Sequence, residues 1–280
     1  EENKNHKKST SISICFQSSL LRLLLLLLLP SPMRKAVIVA TSASSLSGSP
    51  TGTWLEEVAA PYYLFQGDGL DVVIASPMGG EVPVDAKSRD GDFYTAAAKN
   101  FDADAEASNK LKESVPVADL LCPLAKGEIA VVFVSGGHGI LADFDDANLT
   151  KFLEAAAAKG NVLISAVCHG VAALLPVKLP NGKLLLEGKA ATCFSDVEED
   201  AVGMTGKMPA EKLPSLEDGV KKACGDAGLY SKAAEPWGVC VVAEGKVVTG
   251  QNPASSAGTA LAALAALGAG GEAVAEEKKE

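Results

Sequence analysis

NVLISAVCHGV, Asn161 to Val171, runs from a strand-like apolar segment through Cys168-His169-Gly170 into the apolar run VAALL. The pattern reads as a strand, a sharp turn and a helix, with a cysteine at the turn. This is the thiol counterpart of a nucleophile elbow, in which a tight turn lifts the reactive atom above a sheet edge and aims the next helix's free N–H groups at it. A helix dipole is worth at most about 2 kcal/mol there, enough to draw a thiol's pKa down toward neutrality. Free cysteines also serve as small buried hydrophobes, and the CHG turn alone does not separate the two readings.

Working outward, KAVIVAT (35–41), GLDVVIA (69–75) and EIAVVFV (128–134) are further buried-strand runs. The loop TSASSLSGSPTG and a helical stretch from Trp54 to Gln66 join the first two. A strand–helix–strand opening implies a parallel sheet, so the fold class is α/β. Residues 81–128 read as a polar excursion with a charged helical stretch near 96–113, and 147–159 as an amphipathic helix. After the elbow come a short strand GKAATCF (188–194), a second mostly helical excursion (195–236) and a hairpin GVCVVAEGKVVTG turning at Glu244-Gly245. An alanine–leucine helix (255–267) closes the domain, expected over 33–267, and 268–280 reads as a disordered tail. Residues 1–32 hold a polar start and a leucine run too short to span a bilayer, with no A-x-A-like cleavage site before MRKAVIVAT. They are expected to be a disordered, read-through or organelle-targeting extension.

The formal charge of −10 argues against a nucleic-acid or anionic membrane surface. Six cysteines, Cys15, Cys122, Cys168, Cys193, Cys224 and Cys240, are scattered without C-x-x-C. That favours a reducing, cytoplasmic setting over a disulfide framework or zinc ribbon. Of three histidines, His6 lies in the extension, so a histidine-rich metal site is hard to assemble from His138 and His169.

Parallel sheets bind ligands at the carboxyl ends of their strands, where this chain places Ser135-Gly-Gly-His-Gly139 and Cys168-His-Gly170. Gly136-Gly137 would supply an oxyanion donor beside the His169 N–H, or simply a tight turn, with His138 a substrate contact or a structural loop residue. Thr53-Trp-Leu-Glu56 has the form of a capping box, which assigns Glu56 to the helix start and leaves Glu57 free at the same sheet edge. A carboxylate beside a thiolate raises the thiol's pKa, so the pair makes sense only if it shares a proton.

Taken together, TGTWLEEVAAPYYLF, DVVIASPMGGEVPVD, FVSGGHG, AVCHG, EGKAATCFSDVEE and VVTGQNPASS resemble the PfpI (Parkinson disease protein 7-like) superfamily. Within it the chain is most similar to the branch of heat-shock-31-type chaperones and glutathione-independent glyoxalases (glyoxalase III), from about Lys35 to Leu267. The resemblance implies a flavodoxin-like three-layer sandwich related to class I glutamine amidotransferases, usually homodimeric. It places the nucleophile on Cys168, its histidine on His169, the helix carboxylate on Glu57 and a third acidic residue on Glu199, with Glu198 the alternative. Cys193 stands where the family has glycine. The metal site of some bacterial members uses histidines this chain lacks. The implied activity is a hydro-lyase (D-lactate dehydratase) reaction on a small 2-oxoaldehyde such as methylglyoxal, with no cofactor, Cys168 forming a hemithioacetal and Glu57 shuttling a proton. Alternative readings are a holding chaperone for unfolded clients, and an amide hydrolase (deglycase or peptidase) using His169 as base.

Overall fold

The computed structural model describes residues 33–205 and 213–277; the expected extension 1–32 lies outside them. Strand β1 (Lys35–Val39) is followed by helix α1 (Glu56–Gly67) and strand β2 (Asp71–Ser76). The first excursion holds helices α2 (Ala96–Ala103) and α3 (Ala105–Lys112) and returns as strand β3 (Val115–Pro116). Then come β4 (Ile129–Val134), α4 (Ala147–Ala158), β5 (Leu163–Val167), α5 (Asp196–Ala201) and α6 (Leu216–Cys224). The chain closes with β6 (Val241–Glu244), β7 (Val247–Gly250) and α7 (Ser256–Glu277).

One seven-stranded sheet runs in the order β6-β7-β5-β4-β1-β2-β3. Every neighbouring pair is parallel except β6 with β7. Strands β4 and β5 are buried at every residue, which is why they read as unbroken apolar runs rather than alternating ones. Helices α1 and α7 pack on each other and on the sheet, and α4 packs on β5. The fold is therefore the expected α/β arrangement, with a mostly parallel sheet flanked by helices.

Four local readings need correction. Residues 96–113 form two helices, because the side chain of Asp104 caps α3 by accepting from the N–H groups of Glu106 and Ala107. The excursion also contributes an edge strand, β3, whose two residues are too few to carry a period. The hairpin pairs Glu244 with Val247, so its turn is Gly245-Lys246, one residue later than expected, with Gly245 at φ +60°. Helix α7 continues past Leu267 to Glu277. Glycines there weaken a helix by only about 1 kcal/mol each, and alanine and glutamate around them favour it.

Candidate active site

At the end of β5 the backbone turns abruptly: Val167 is extended, and Cys168 adopts φ +57° at the head of a 3-10 turn spanning Cys168–Leu174. A left-handed conformation costs a non-glycine residue roughly 1–2 kcal/mol and persists only where surroundings impose it. The elbow is present, but in tighter 3-10 form than the helix expected. Gly170 makes the turn fit, since a Cβ there would lie 2.5 Å from the Val134 carbonyl oxygen.

The loop after β4 is tied to the start of α1 through Gly136. Its carbonyl accepts from the Trp54 N–H and the Thr53 hydroxyl, each at 3.1 Å, and its N–H donates to Glu57 Oε2 at 2.6 Å. A Cβ on Gly136 would meet that same Oε2 and the His169 nitrogen at 2.7 Å. These contacts carry Glu57, fully buried, to the cysteine. The expected capping box does not form. Thr53 is spent on Ser135 and Gly136, and Glu56 instead accepts from the Thr95 hydroxyl of the excursion. Glu57 is indeed the carboxylate turned inward, although not for the reason capping supplied.

Burial pushes the Glu57 carboxyl up to about 8, against the pull of hydrogen bonds from the Cys168 thiol and the Gly136 N–H. The Cys168 thiol is held well above its ordinary value, first by burial and then by the Glu57 charge, although the N–H groups of Gly137 and His169 favour the thiolate. Dipole stabilisation of a free thiolate is thus the wrong description of the resting site. Desolvation and the neighbouring acid outweigh it, and both groups rest protonated at neutral pH. The donor pair also changes: the Gly136 N–H is occupied by Glu57, so Gly137 and His169 are the two N–H groups facing the sulfur.

On the other side of the sulfur, His169 Nδ1 lies 3.3 Å from Cys168 Sγ. Its Nε2 is 2.8 Å from Glu199 Oε2, and Glu199 Oε1 is 2.7 Å from His138 Nε2. Burial alone would raise Glu199, yet its two imidazole partners outweigh burial and hold it below the usual carboxylate range. Burial in turn pushes His169 down. Glu198, the alternative partner, points away. It caps α5 through Ser195 and accepts from Gln251, Asn252 and the Trp237 N–H.

His138, His169 and Glu199 offer ligand atoms within 4.8 Å of one another, the one such grouping among the described residues. The sequence puts both histidines at the carboxyl ends of strands but carries no sign that they close on one carboxylate. Both Glu199 oxygens and both Nε2 atoms are already used in carboxylate–imidazole hydrogen bonds, so the group is satisfied without an ion.

A chamber of about 20 Å³ lies against Cys168 and His169, walled by Trp54, Phe194 and Trp237. It admits only very small groups. Sequence reasoning missed these three rings. In the sequence Trp54 stands at a helix start and in a family-like stretch, neither of which marks it as a wall of the site, and nothing local marks Phe194 or Trp237. No helix among the described residues is long and apolar enough to cross a membrane.

A model of the DJ-1/PfpI family matches residues 50–266. Glyoxalase 3 of Candida albicans is 32% identical over 242 residues, covering 84% of this chain and 99% of its own length. The glutathione-independent glyoxalase HSP31 of Saccharomyces cerevisiae is 30% identical over 256 residues, covering 84% and 98%. Among solved structures, glyoxalase III from Candida albicans aligns with a TM-score of 0.75 at 31% identity, covering 85% of this chain and 98% of that one.

Proposed function

Since this chain belongs to the DJ-1/PfpI family, we propose that it is a glutathione-independent glyoxalase of the glyoxalase III type, converting methylglyoxal and related 2-oxoaldehydes to lactate or the matching 2-hydroxy acid. Its likeness to two glyoxalases over most of their length supports this reading. The observation that carries it is the buried Cys168–Glu57 pair, a nucleophile and an acid–base group whose pKa of about 8 suits proton transfer near neutral pH.

Cys168 sulfur adds to the aldehyde carbon. The thiol proton passes to Nδ1 of His169 and on to the new alkoxide oxygen, giving a neutral hemithioacetal beside the N–H groups of Gly137 and His169. Glu199 orients the imidazole for this transfer. Ionised Glu57 then removes the hydrogen on that carbon as a proton. The electron pair forms the double bond of an enediolate, and the former ketone oxygen takes over the proton of the hydroxyl on the first carbon. Glu57 returns its proton to the second carbon, and the first becomes a thioester carbonyl. Water cleaves the thioester, releasing lactate and the thiol. The net change is addition of water to methylglyoxal, with no hydride leaving the substrate and no glutathione consumed, which places the reaction among the hydro-lyases.

The proposal assigns the activity to the domain over residues 33–267. It carries a homodimer and a cytoplasmic setting, supported by the family likeness and by the free thiols of Cys122, Cys168, Cys193, Cys224 and Cys240. The test is lactate formation from methylglyoxal by the full chain with and without added glutathione. Equal rates support the reading; a strict glutathione requirement, or full activity in Cys168→Ala, sinks it.

A further inference from the structure

A larger cavity of about 610 Å³ adjoins the reaction chamber, and Trp54, Trp237 and Pro253 line both. It falls in the size range of small-molecule sites and is far roomier than methylglyoxal needs. Its walls are aromatic: Phe93 packs edge-on against Trp54 with centroids 5.1 Å apart, and lies 5.9 Å from Trp237. The ring series continues inward from Trp237 to Phe194 (5.7 Å) and from Phe194 to His169 (4.5 Å), so one aromatic wall leads from the cavity to the site.

Its charged groups are all acidic: Glu56, Asp90 and Asp92 line it, and no lysine, arginine or histidine does. Asp90 and Asp92 are exposed and their side chains form no ion pair or hydrogen bond with any described residue, whereas nearby Arg89 is committed to Asp102 through a two-pronged contact at 2.8 Å. The arrangement is held in place rather than incidental. Trp237 takes up φ +65°, one of three non-glycine residues with positive φ among the described residues, and its N–H is anchored at 2.9 Å on the fully buried carboxylate of Glu198. Strain of this kind is maintained only where the surroundings over-determine it. In addition, Trp54 Nε1 is buried with no hydrogen-bond partner among the described residues.

Aromatic faces combined with unpaired carboxylates are the chemistry that recognises organic cations. We propose that this cavity is a subsite for an ammonium or guanidinium group carried on the far end of a 2-oxoaldehyde, so that the enzyme favours cationic over anionic dicarbonyls. The inference rests on the glyoxalase reading for its link to turnover, but cation binding itself does not.

Trp54 and Trp237 are the only two tryptophans in the chain and line both this cavity and the adjoining chamber, so intrinsic tryptophan emission reports on this region. The full chain is titrated with benzamidinium, neutral benzamide and benzoate. The expected result is saturable quenching by benzamidinium at about tenfold lower concentration than by benzamide, with benzoate weaker still. In an Asp90→Asn/Asp92→Asn variant, whose changes are on the surface and isosteric, the preference falls to about twofold or less. Equal response to all three probes, or undiminished preference in the variant, overturns the proposal. The second arm compares kcat/KM for 4-amidinophenylglyoxal and 4-carboxyphenylglyoxal. A clear advantage for the cation, expressed through KM, supports the subsite, and equal values overturn it. Charge-selective quenching without turnover of any dicarbonyl defeats the glyoxalase reading and the link to turnover, leaving cation binding supported. Lactate from methylglyoxal without charge-selective quenching defeats only the cation subsite.

Discussion

Glu57 accepts a 2.6 Å hydrogen bond from the N–H of Gly136, 79 residues further along the chain. That bond fixes one carboxyl oxygen and leaves Oε1 with no hydrogen-bond partner among the described residues, in a fully buried setting. An unsatisfied buried acceptor is costly, and a proton on the carboxyl relieves it. Burial raises the carboxyl's pKa against the pull of that bond, and the unpaired oxygen leaves the group ready to exchange a proton with whatever occupies the chamber.

Replacing that carboxyl by its amide separates chemistry from structure. Glu57→Gln keeps an oxygen for the Gly136 N–H but cannot exchange a proton, so lactate formation should fall by roughly 10²–10⁴-fold with the fold intact. Kinetics and circular dichroism measured together check this; activity within tenfold of the parent removes Glu57 from the mechanism.

The stability of the same variant has a defined dependence on pH. Glu57 titrates near 8 when folded against a model value of 4.5, so between those values the native state binds more protons than the unfolded one, and stability declines as pH rises. The loss in the parent amounts to something on the order of 4 kcal/mol by pH 8 and above. Glu57→Gln should flatten this decline, so that its Tm exceeds the parent's most clearly at pH 8–9 and least at pH 5. Parallel Tm-against-pH curves for the two proteins would contradict it.

Activity should follow the ionised form of the same group. The kcat/KM for methylglyoxal is expected to rise with pH along a limb whose midpoint is about 8, because only the carboxylate removes the carbon-bound proton. A pH–rate profile flat from 6 to 9 would exclude Glu57 as the base.

On the far side of the sulfur, Glu199→Gln replaces an acceptor for two imidazoles with a group that can accept from only one of them. Loss of orientation at His169 should lower kcat/KM by roughly 10–100-fold. The folded carboxylate has a depressed pKa, so its stabilising contribution is present above the unfolded value and is lost as pH falls. The variant should accordingly lose less stability than the parent on acidification below about pH 4.5, as acid titration followed by circular dichroism would reveal.

Gly136→Ala tests the packing directly. Its new methyl would sit 2.7 Å from both Glu57 Oε2 and the His169 nitrogen, neither of which can retreat without disturbing the site. A destabilisation of about 1–3 kcal/mol is expected, together with loss of activity although no reacting group has been removed. Chemical denaturation paired with the lactate assay checks both.

Much of this was legible in the chain itself. Unbroken apolar runs such as IAVVFV and LISAV mark strands buried on both faces, and their alternation with helical stretches dictates a parallel sheet whose strand ends carry Cys168, His169 and the Gly136-Gly137 pair. Local periodicity records burial, so it carries the order of the elements. What it does not record is charge state or convergence. Whether the thiol is ionised depends on how much water reaches it and on an acid more than a hundred residues away in sequence. That His138 and His169 close on one carboxylate, that Thr53 binds a loop instead of capping its own helix, and that both tryptophans line the mouth of the site are results of long-range packing. Desolvation and through-space electrostatics act between residues the fold has made neighbours, and a linear sequence contains no measure of that distance.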